Sequence, residues 1–308
     1  MQDERIDDDW IDQVRRFNRT VTQRIGALDD AYLSRDRPLG QARLLWEIGT
    51  GSSEVRALRS RLGLDSGYLS RLLRALQADG LVVVEAADAD GRVREVRLTP
   101  DGLAERAELD RRSDDSAAAI LRSLNPHQRD RLFHAMADVE RLLTASMVRV
   151  DAVDPGHPDA RHCIRAFFAE LADRLEDGFD PDVSHTAEHS QITPPAGLLL
   201  VATLHGEPVG CGAFRLRPGR SGAVPPDPDG YAELKHMWVS PTVRGLGLGR
   251  RLVAELEAHV ADAGVRTVRL DTNRALGEAI GFYKAAGYRE IDAYNDEPYA
   301  DHWFEKTL

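Results

Sequence analysis

The chain has 308 residues, 42% of them hydrophobic and 30% charged, with a formal net charge of −11 at pH 7. That length is about twice a usual domain, so two domains are expected, and the composition excludes a disordered or collagen-like chain. The 51 acidic against 40 basic residues exclude a wholly basic nucleic-acid coat protein, while leaving room for one local DNA-binding surface.

The two cysteines, Cys163 and Cys211, are too widely spaced for a metal or redox motif, which points to a reducing compartment and to no metal site. The longest strongly apolar run, Gly197–Leu204, is too short to span a bilayer. The start Met1-Gln2-Asp3-Glu4 lacks the character of a signal peptide. A cytoplasmic protein with no membrane partner is therefore expected.

Charge is unevenly spread. Residues 1–150 hold 24 arginines, no lysine and 26 acids (24 − 26 = −2), whereas residues 151–308 hold 16 bases and 25 acids (16 − 25 = −9). The first lysine is Lys235. The clearest break is the Pro/Gly-rich segment 151–158, between two helical patterns. Domains over 1–147 and 148–308 are expected.

In chain order, Ile6, Trp10, Val14, Phe17, Val21, Ile25 and Leu28 recur in steps of four and three, a single stripe on a long helix. A short helix over 39–48 stops at Gly49-Thr50-Gly51. Ser53 is expected to cap a helix carrying Val55, Leu58 and Leu62. After the tight turn Leu62-Gly63-Leu64, Asp65 caps a helix with Leu69, Leu72, Leu73 and Leu76 on one face, ending at Gly80. Two β-rich runs, 81–85 and 92–98, flank an Asp-Gly turn and predict a hairpin. Thr99-Pro100 opens two amphipathic stretches that end near Met147.

Helix, Gly-containing turn, second helix, then hairpin is the order of a winged helix-turn-helix. Its second helix presents Ser66, Gly67, Tyr68, Ser70, Arg71 and Arg74 off the apolar face, and the hairpin carries Arg92 and Arg94. Short polar side chains can approach base edges, and arginines can take guanine or phosphate. The leucine pattern from Leu62 to Gly80, the Asp-x-Arg-x-Arg wing and the Leu98-Thr99 close resemble the MarR family of regulators. That resemblance implies a double-stranded DNA operator and a homodimer paired through the first and last helices of the domain. The acidic wing base, Glu85, Asp88 and Asp90, departs from an ideal phosphate-binding surface.

The second half alternates strand and helix. A strand over 147–153 leads to a helix over 158–175, two strands over 198–205 and 207–216 turning at His205-Gly206, and a strand over 232–239. Then follows Ser240-Pro241-Thr242-Val243-Arg244-Gly245-Leu246-Gly247-Leu248-Gly249-Arg250-Arg251. A helix to Gly264, a strand over 265–271, a helix ending in Phe282-Tyr283 and a closing strand pair complete the chain.

A glycine-spaced turn between strand and helix gathers backbone N–H groups at a helix N-terminus, which suits a pyrophosphate. A dinucleotide-binding Rossmann unit would carry such a turn after its first strand, and a P-loop would need Gly-Lys-Ser/Thr; neither holds here. The R-x-x-G-x-G pattern at Arg244–Gly249, after a strand ending in Val-Ser-Pro, with Tyr283 downstream, resembles the GNAT acetyltransferases. The expected fold is thus a mainly α winged helix-turn-helix followed by an α/β (α+β) GNAT fold with a mixed central sheet.

The resemblance implies acetyl transfer from acetyl-CoA to a small-molecule amine, with CoA as product. The cofactor contacts implied are Met237, Trp238, Val239, Arg244, Gly245, Leu246, Gly247, Leu248, Gly249, Arg250, Arg251 and Asn273. Tyr283 matches the family's general acid. For the general base, Glu233 acting through water stands first and His236 second. Strand alternation places Glu233 and Lys235 on one face and His236 on the other, so only one side can serve. The aromatic and acidic tail 294–303 offers either an acceptor pocket or edge packing. His185 and His189, at helical spacing, read as surface or lid residues.

The leading expectation is a bifunctional regulator and N-acetyltransferase. An enzyme whose first half only dimerises it, and a regulator whose second half only senses acetyl-CoA, stay open.

Overall fold

A computed structural model describes residues 6–29, 31–86, 93–176, 178–219 and 230–308. Two compact units, Met1–Ala135 and Met136–Leu308, divide the chain. The division falls inside a helix rather than after Met147.

The first unit opens with α1 (Asp8–Arg24), capped by Asp7, whose carboxylate accepts from the Asp9 amide at 2.9 Å. Its apolar stripe faces solvent: Trp10 is 69% exposed and Val14 57%, and no residue of α1 is buried. Next come α2 (Leu39–Ile48), β1 (Ser52–Glu54), α3 (Val55–Leu62), α4 (Ser66–Ala78), β2 (Val82–Ala86), β3 (Arg94–Leu98), α5 (Pro100–Arg122) and α6 (Pro126–Met147). Leu44, Leu45, Leu58, Leu69, Leu73, Leu76 and Val96 form the core that α2 to β3 share.

Several local expectations hold for stated reasons. Gly63 takes a left-handed φ of 62° to turn α3 into α4, and Asp65 caps α4 by accepting from the Tyr68 amide at 2.8 Å. Thr99 caps α5 by accepting from the Gly102 amide, with Pro100 in the first turn. One expectation fails. Ser53 does not cap α3: residues 52–54 pair with β3 as the third strand of the wing sheet, ordered β1-β3-β2, and the Ser53 hydroxyl donates to the Ile48 carbonyl at 3.1 Å.

The second unit contains a seven-stranded sheet built from β4 (Arg149–Ala152), β5 (Gly197–Leu204), β6 (Glu207–Arg217), β7 (Tyr231–Val239), β8 (Thr267–Thr272), β9 (Arg289–Ile291) and β10 (His302–Thr307). Their order is β4-β5-β6-β7-β8-β10-β9, and only the β7–β8 pair is parallel. The helices are α7 (Pro158–Arg174), α8 (Leu248–Asp262) and α9 (Gly277–Ala285).

Alternation along β5 and β6 sends Leu199, Val201, Cys211 and Ala213 to the face covered by α7. Leu200, Ala202 and Phe214 go to the face covered by α8 through Leu252, Val253 and Leu256. Cys163 and Cys211, distant in sequence, meet as buried free thiols in the α7-side core. Among the described residues, no helix is long and apolar enough to cross a membrane.

Candidate functional site

The central feature is a fork in the sheet. β7 and β8 pair only at Ala232↔Val268 and Glu233↔Arg269 and then part. Beyond Glu233, the β8-facing edge of β7 is left with unpaired backbone groups, a template on which an amide-bearing chain can add. Two cavities meet there, and both are lined by Phe167, Leu171, Met237, Leu276, Ala279 and Tyr283.

The larger cavity measures about 600 Å³. Nine of the twelve sequence-predicted cofactor residues line it: Met237, Trp238, Val239, Arg244, Gly245, Gly247, Leu248, Gly249 and Arg250. Gly245 and Gly247 adopt φ of 82° and 79°, left-handed values that bend the chain from β7 into α8. Gly247 is the N-cap, and the Arg251 amide donates to its carbonyl at 3.1 Å. The amides of Leu248, Gly249 and Arg250 therefore precede the first intrahelical bond and stand at the positive end of the α8 dipole. This cradle fits a diphosphate, and the open β7 edge fits the amides of a pantetheine arm.

The other three predicted residues do not line this cavity. Leu246 packs against the core. The Arg251 guanidinium turns away, to Glu255 at 2.8 Å and the Val148 carbonyl at 2.7 Å. Asn273 lines the smaller cavity, where its Nδ2 donates to the Tyr299 carbonyl and its Oδ1 accepts from the Ala275 amide, both at 2.8 Å.

Sequence reading missed Glu170. This α7 carboxylate accepts two bonds from Arg244 (2.7 and 2.6 Å) and one from the Trp238 indole (3.0 Å), and Arg174 lies 3.2 Å away. Burial alone would raise its pKa; Arg244, Arg174 and Trp238 together hold it below the usual range.

Tyr283 reaches the fork from α9. Its ring is buried among Phe282, Tyr288 and Phe304. Burial, aided by the Asp271 charge, raises its pKa, so the phenol stays protonated at neutral pH and has a proton to donate.

Glu233 does not behave as a base. It is 1% exposed and lines neither cavity. Its Oε2 accepts from Arg215 (2.7 Å) and Arg217 (3.0 Å), while Oε1 faces Lys235 (3.1 Å) and Asn295 (3.3 Å). Burial alone would raise its pKa, but Lys235, Arg215 and Arg217 outweigh that and hold it at about 2. A carboxylate so stabilised in its charged form is a structural counterion.

Replacing Glu233 by Gln leaves buried cations unmatched and is expected to cost about 3–5 kcal/mol of stability at neutral pH. Because the folded pKa is depressed, that contribution is present above about pH 4.5 and disappears as pH falls toward 2. Denaturation midpoints of wild type and Glu233→Gln should therefore converge on acidification; a constant gap would contradict this role.

The expected alternation along β7 also fails. The β6–β7 register shifts between Cys211 and Ala213, and His236 takes a φ of 54°, so a bulge interrupts the strand. His236 consequently shares the α7 side with Lys235, its ring lying edge-on to Phe167 and Phe168 at 5.9 and 5.6 Å. It lines the smaller cavity, 4% exposed, with Nε2 3.4 Å from the Ala187 carbonyl and Nδ1 unpartnered. Burial lowers its pKa to about 4, so the imidazole is neutral at pH 7 and only a weak base.

The tail 294–303 divides between the two expectations. Glu297 and Tyr299 line the smaller cavity, whereas Tyr294 and Asn295 join the Glu233 network and Trp303 lies in β10. His185 and His189 are not on one helix: His185 closes a turn, and a 3-10 turn begins at His189.

In the first unit, Ser66, Gly67, Tyr68, Ser70, Arg71 and Arg74 are all exposed along α4, and Arg94 is exposed on β3. The Arg71 guanidinium sits 5.6 Å from the Tyr68 ring centroid. Arg92, with Asp88 and Asp90, lies outside the described residues.

Comparison with known proteins agrees with this geometry. Residues 164–288 match the acetyltransferase (GNAT) family, and residues 36–93 match the MarR family. An IAA acetyltransferase of Azospirillum brasilense is 31% identical over 121 residues, which cover 39% of this chain and 73% of that protein. The chain belongs to the GNAT family.

It carries a MarR-type winged helix ahead of the GNAT domain. As a GNAT protein it is an N-acetyltransferase, and the family's donor is acetyl-CoA. Among solved structures, a GNAT acetyltransferase of Staphylococcus aureus is similar over 52% of this chain and 99% of its own (TM-score 0.41, 15% identity). Bordetella bronchiseptica BpsR is similar over 42% of this chain and 98% of its own (TM-score 0.36, 18% identity).

Proposed function

We propose that the chain is a bifunctional, cytoplasmic protein: a homodimeric DNA-binding regulator that also transfers the acetyl group of acetyl-CoA to a small-molecule amine. The observation that carries the catalytic reading is the fork, where Tyr283 lines both cavities at once. Acetyl-CoA would supply the acyl group as a thioester. The Leu248–Arg250 amides would hold its diphosphate, and a β7 amide within Met237–Val239 would donate to the thioester oxygen as charge develops there. Tyr283 would protonate the departing sulfur. The acceptor amine would occupy the smaller cavity, where His236 receives its proton. Glu233 keeps only the structural role described above.

These assignments have a signature in pH. His236 is already neutral well above pH 4, and the Tyr283 proton is held past the ordinary phenol range. Between about pH 5.5 and 9, kcat/KM is expected to rise only with deprotonation of the acceptor itself, so the inflection moves when the amine is changed. A fixed inflection near 6.5, the same for every acceptor, would contradict a neutral buried His236.

For the first unit, the solvent-facing α4 surface and the exposed apolar stripe of α1 support the regulator reading. An apolar stripe of that length on a helix with no buried residue suits burial against a second copy of the chain. Arg71 and Arg74 would contact phosphate or guanine. Their double alanine substitution is expected to weaken operator binding at least tenfold in a gel shift and flatten its salt dependence, each lost phosphate contact removing about one unit of slope. Acetyl transfer should not change. No salt-sensitive shift by the wild-type protein would leave only the enzyme. Any coupling of the two activities requires a ligand to bind one DNA-binding conformer better than another.

A further inference from the structure

The smaller cavity carries an inference about the acceptor, and it builds on the acetyl-transfer reading. Its volume is about 120 Å³, close to the roughly 150 Å³ of an apolar protein cavity that takes up benzene. One side is apolar, formed by Phe167, Leu171, Leu175 and Phe179; the Phe179 ring packs 4.9 Å from that of Tyr299. A single-ring body matches that space.

The charged groups in the wall decide the rest. Lys235 bridges Asp271 at 2.8 Å and Glu233 at 3.1 Å, so its charge is already engaged. His236 is neutral. What remains is Glu297, 6% exposed, whose Oε2 accepts from the His185 amide at 2.8 Å and whose Oε1 faces the Tyr299 amide at 3.4 Å. The His185 Nδ1 lies 3.5 Å from Asp296 Oδ1, and among the described residues no cationic side chain forms an ion pair with Glu297.

A carboxylate withdrawn this far from water is costly without a cation, and two backbone amides compensate it only in part. The same wall holds a polar atom without a hydrogen-bond partner, Nδ1 of His236, in a residue more than nine-tenths buried. The cavity thus presents a buried carboxylate that, among the described residues, has no cationic partner.

We propose that the acceptor is a compact primary monoamine with a ring-sized apolar body, and that Glu297 selects it by receiving its ammonium group. An amino acid would set its carboxylate against the unmatched Glu297, and a polycation would bring more charges than this one carboxylate matches. Glu297 is here a specificity-determining residue, distinct from the proton acceptor His236.

The test is calorimetry on the intact protein saturated with CoA, titrated with benzylamine and with benzyl alcohol at pH 7, and repeated with Glu297→Gln. Benzylamine is expected to bind at least tenfold more tightly than benzyl alcohol, and Glu297→Gln should abolish that preference while leaving affinity for CoA unchanged. The comparison of the two ligands stands on wild-type protein even if the variant folds poorly. Equal binding of the two ligands, no binding of benzylamine, or tighter binding of phenylalanine or kanamycin would overturn the assignment.

Thiol release from acetyl-CoA in the same samples separates the two claims. Charge-selective binding without thiol release would remove the acetyl-transfer reading and keep the pocket's specificity. Thiol release with amines of any size or charge would do the reverse.

Discussion

Substituting Phe for Tyr283 is expected to lower kcat by 10²- to 10⁴-fold, the usual worth of a positioned general acid. The change deletes one hydroxyl from a ring already packed among Phe282, Tyr288 and Phe304, so fold and cavity shape should persist. KM for acetyl-CoA should stay within about threefold of wild type, because the role proposed for the phenol is at the leaving sulfur and not at the diphosphate. Steady-state thiol release at saturating amine gives both numbers. Unchanged kcat would remove Tyr283 from the chemistry and leave its buried, permanently protonated hydroxyl unexplained.

The second large effect concerns Gly247. Its φ of 79° is a conformation that a β-branched residue strongly disfavours, and the amides beside it are those proposed to hold the diphosphate. Apart from its chain neighbours, no atom lies within 4 Å of the position a Cβ would take, so the cost of Val is backbone strain, and its side chain would stand beside the proposed phosphate site. Gly247→Val is expected to raise the dissociation constant for CoA at least 30-fold and KM for acetyl-CoA in parallel. DNA affinity should be unaffected. Calorimetric titration with CoA reads the first, and wild-type affinity in the variant would mean that the diphosphate binds elsewhere.

What the sequence reveals and what it hides divide along physical lines. The helix caps at Asp65 and Thr99, the turn at Gly63 and the glycine bend at 245–249 depend on residues a few positions apart, so pattern alone finds them. The same holds for the leucines of α4 and the apolar stripe of α1. The fork, by contrast, depends on where the parallel pairing of β7 with β8 stops, a property of two strands separated by a whole helix. The bulge at His236 reverses the facing of every later residue on β7, and nothing in Leu234-Lys235-His236-Met237 announces it.

Long-range charge pairing is equally invisible in sequence. Glu170 meets Arg244 from 74 residues away, and Glu233 is neutralised by strand neighbours that a linear reading treats as independent. The dense aromatic and acidic tail did mark an unusual segment. Only the folded chain tells Glu297 and Tyr299, which face the cavity, from Tyr294 and Asn295, which brace it.

The central claim is that the fork is where an acetyl group passes from acetyl-CoA to an amine. Its most direct test incubates the purified full-length protein with acetyl-CoA and benzylamine and quantifies, over one time course, free thiol and N-acetylbenzylamine by mass spectrometry. The account predicts equal amounts of both products, at a rate that Tyr283→Phe lowers at least 100-fold. Tight binding of acetyl-CoA with no N-acetyl product, from this amine or any other primary amine, would contradict it.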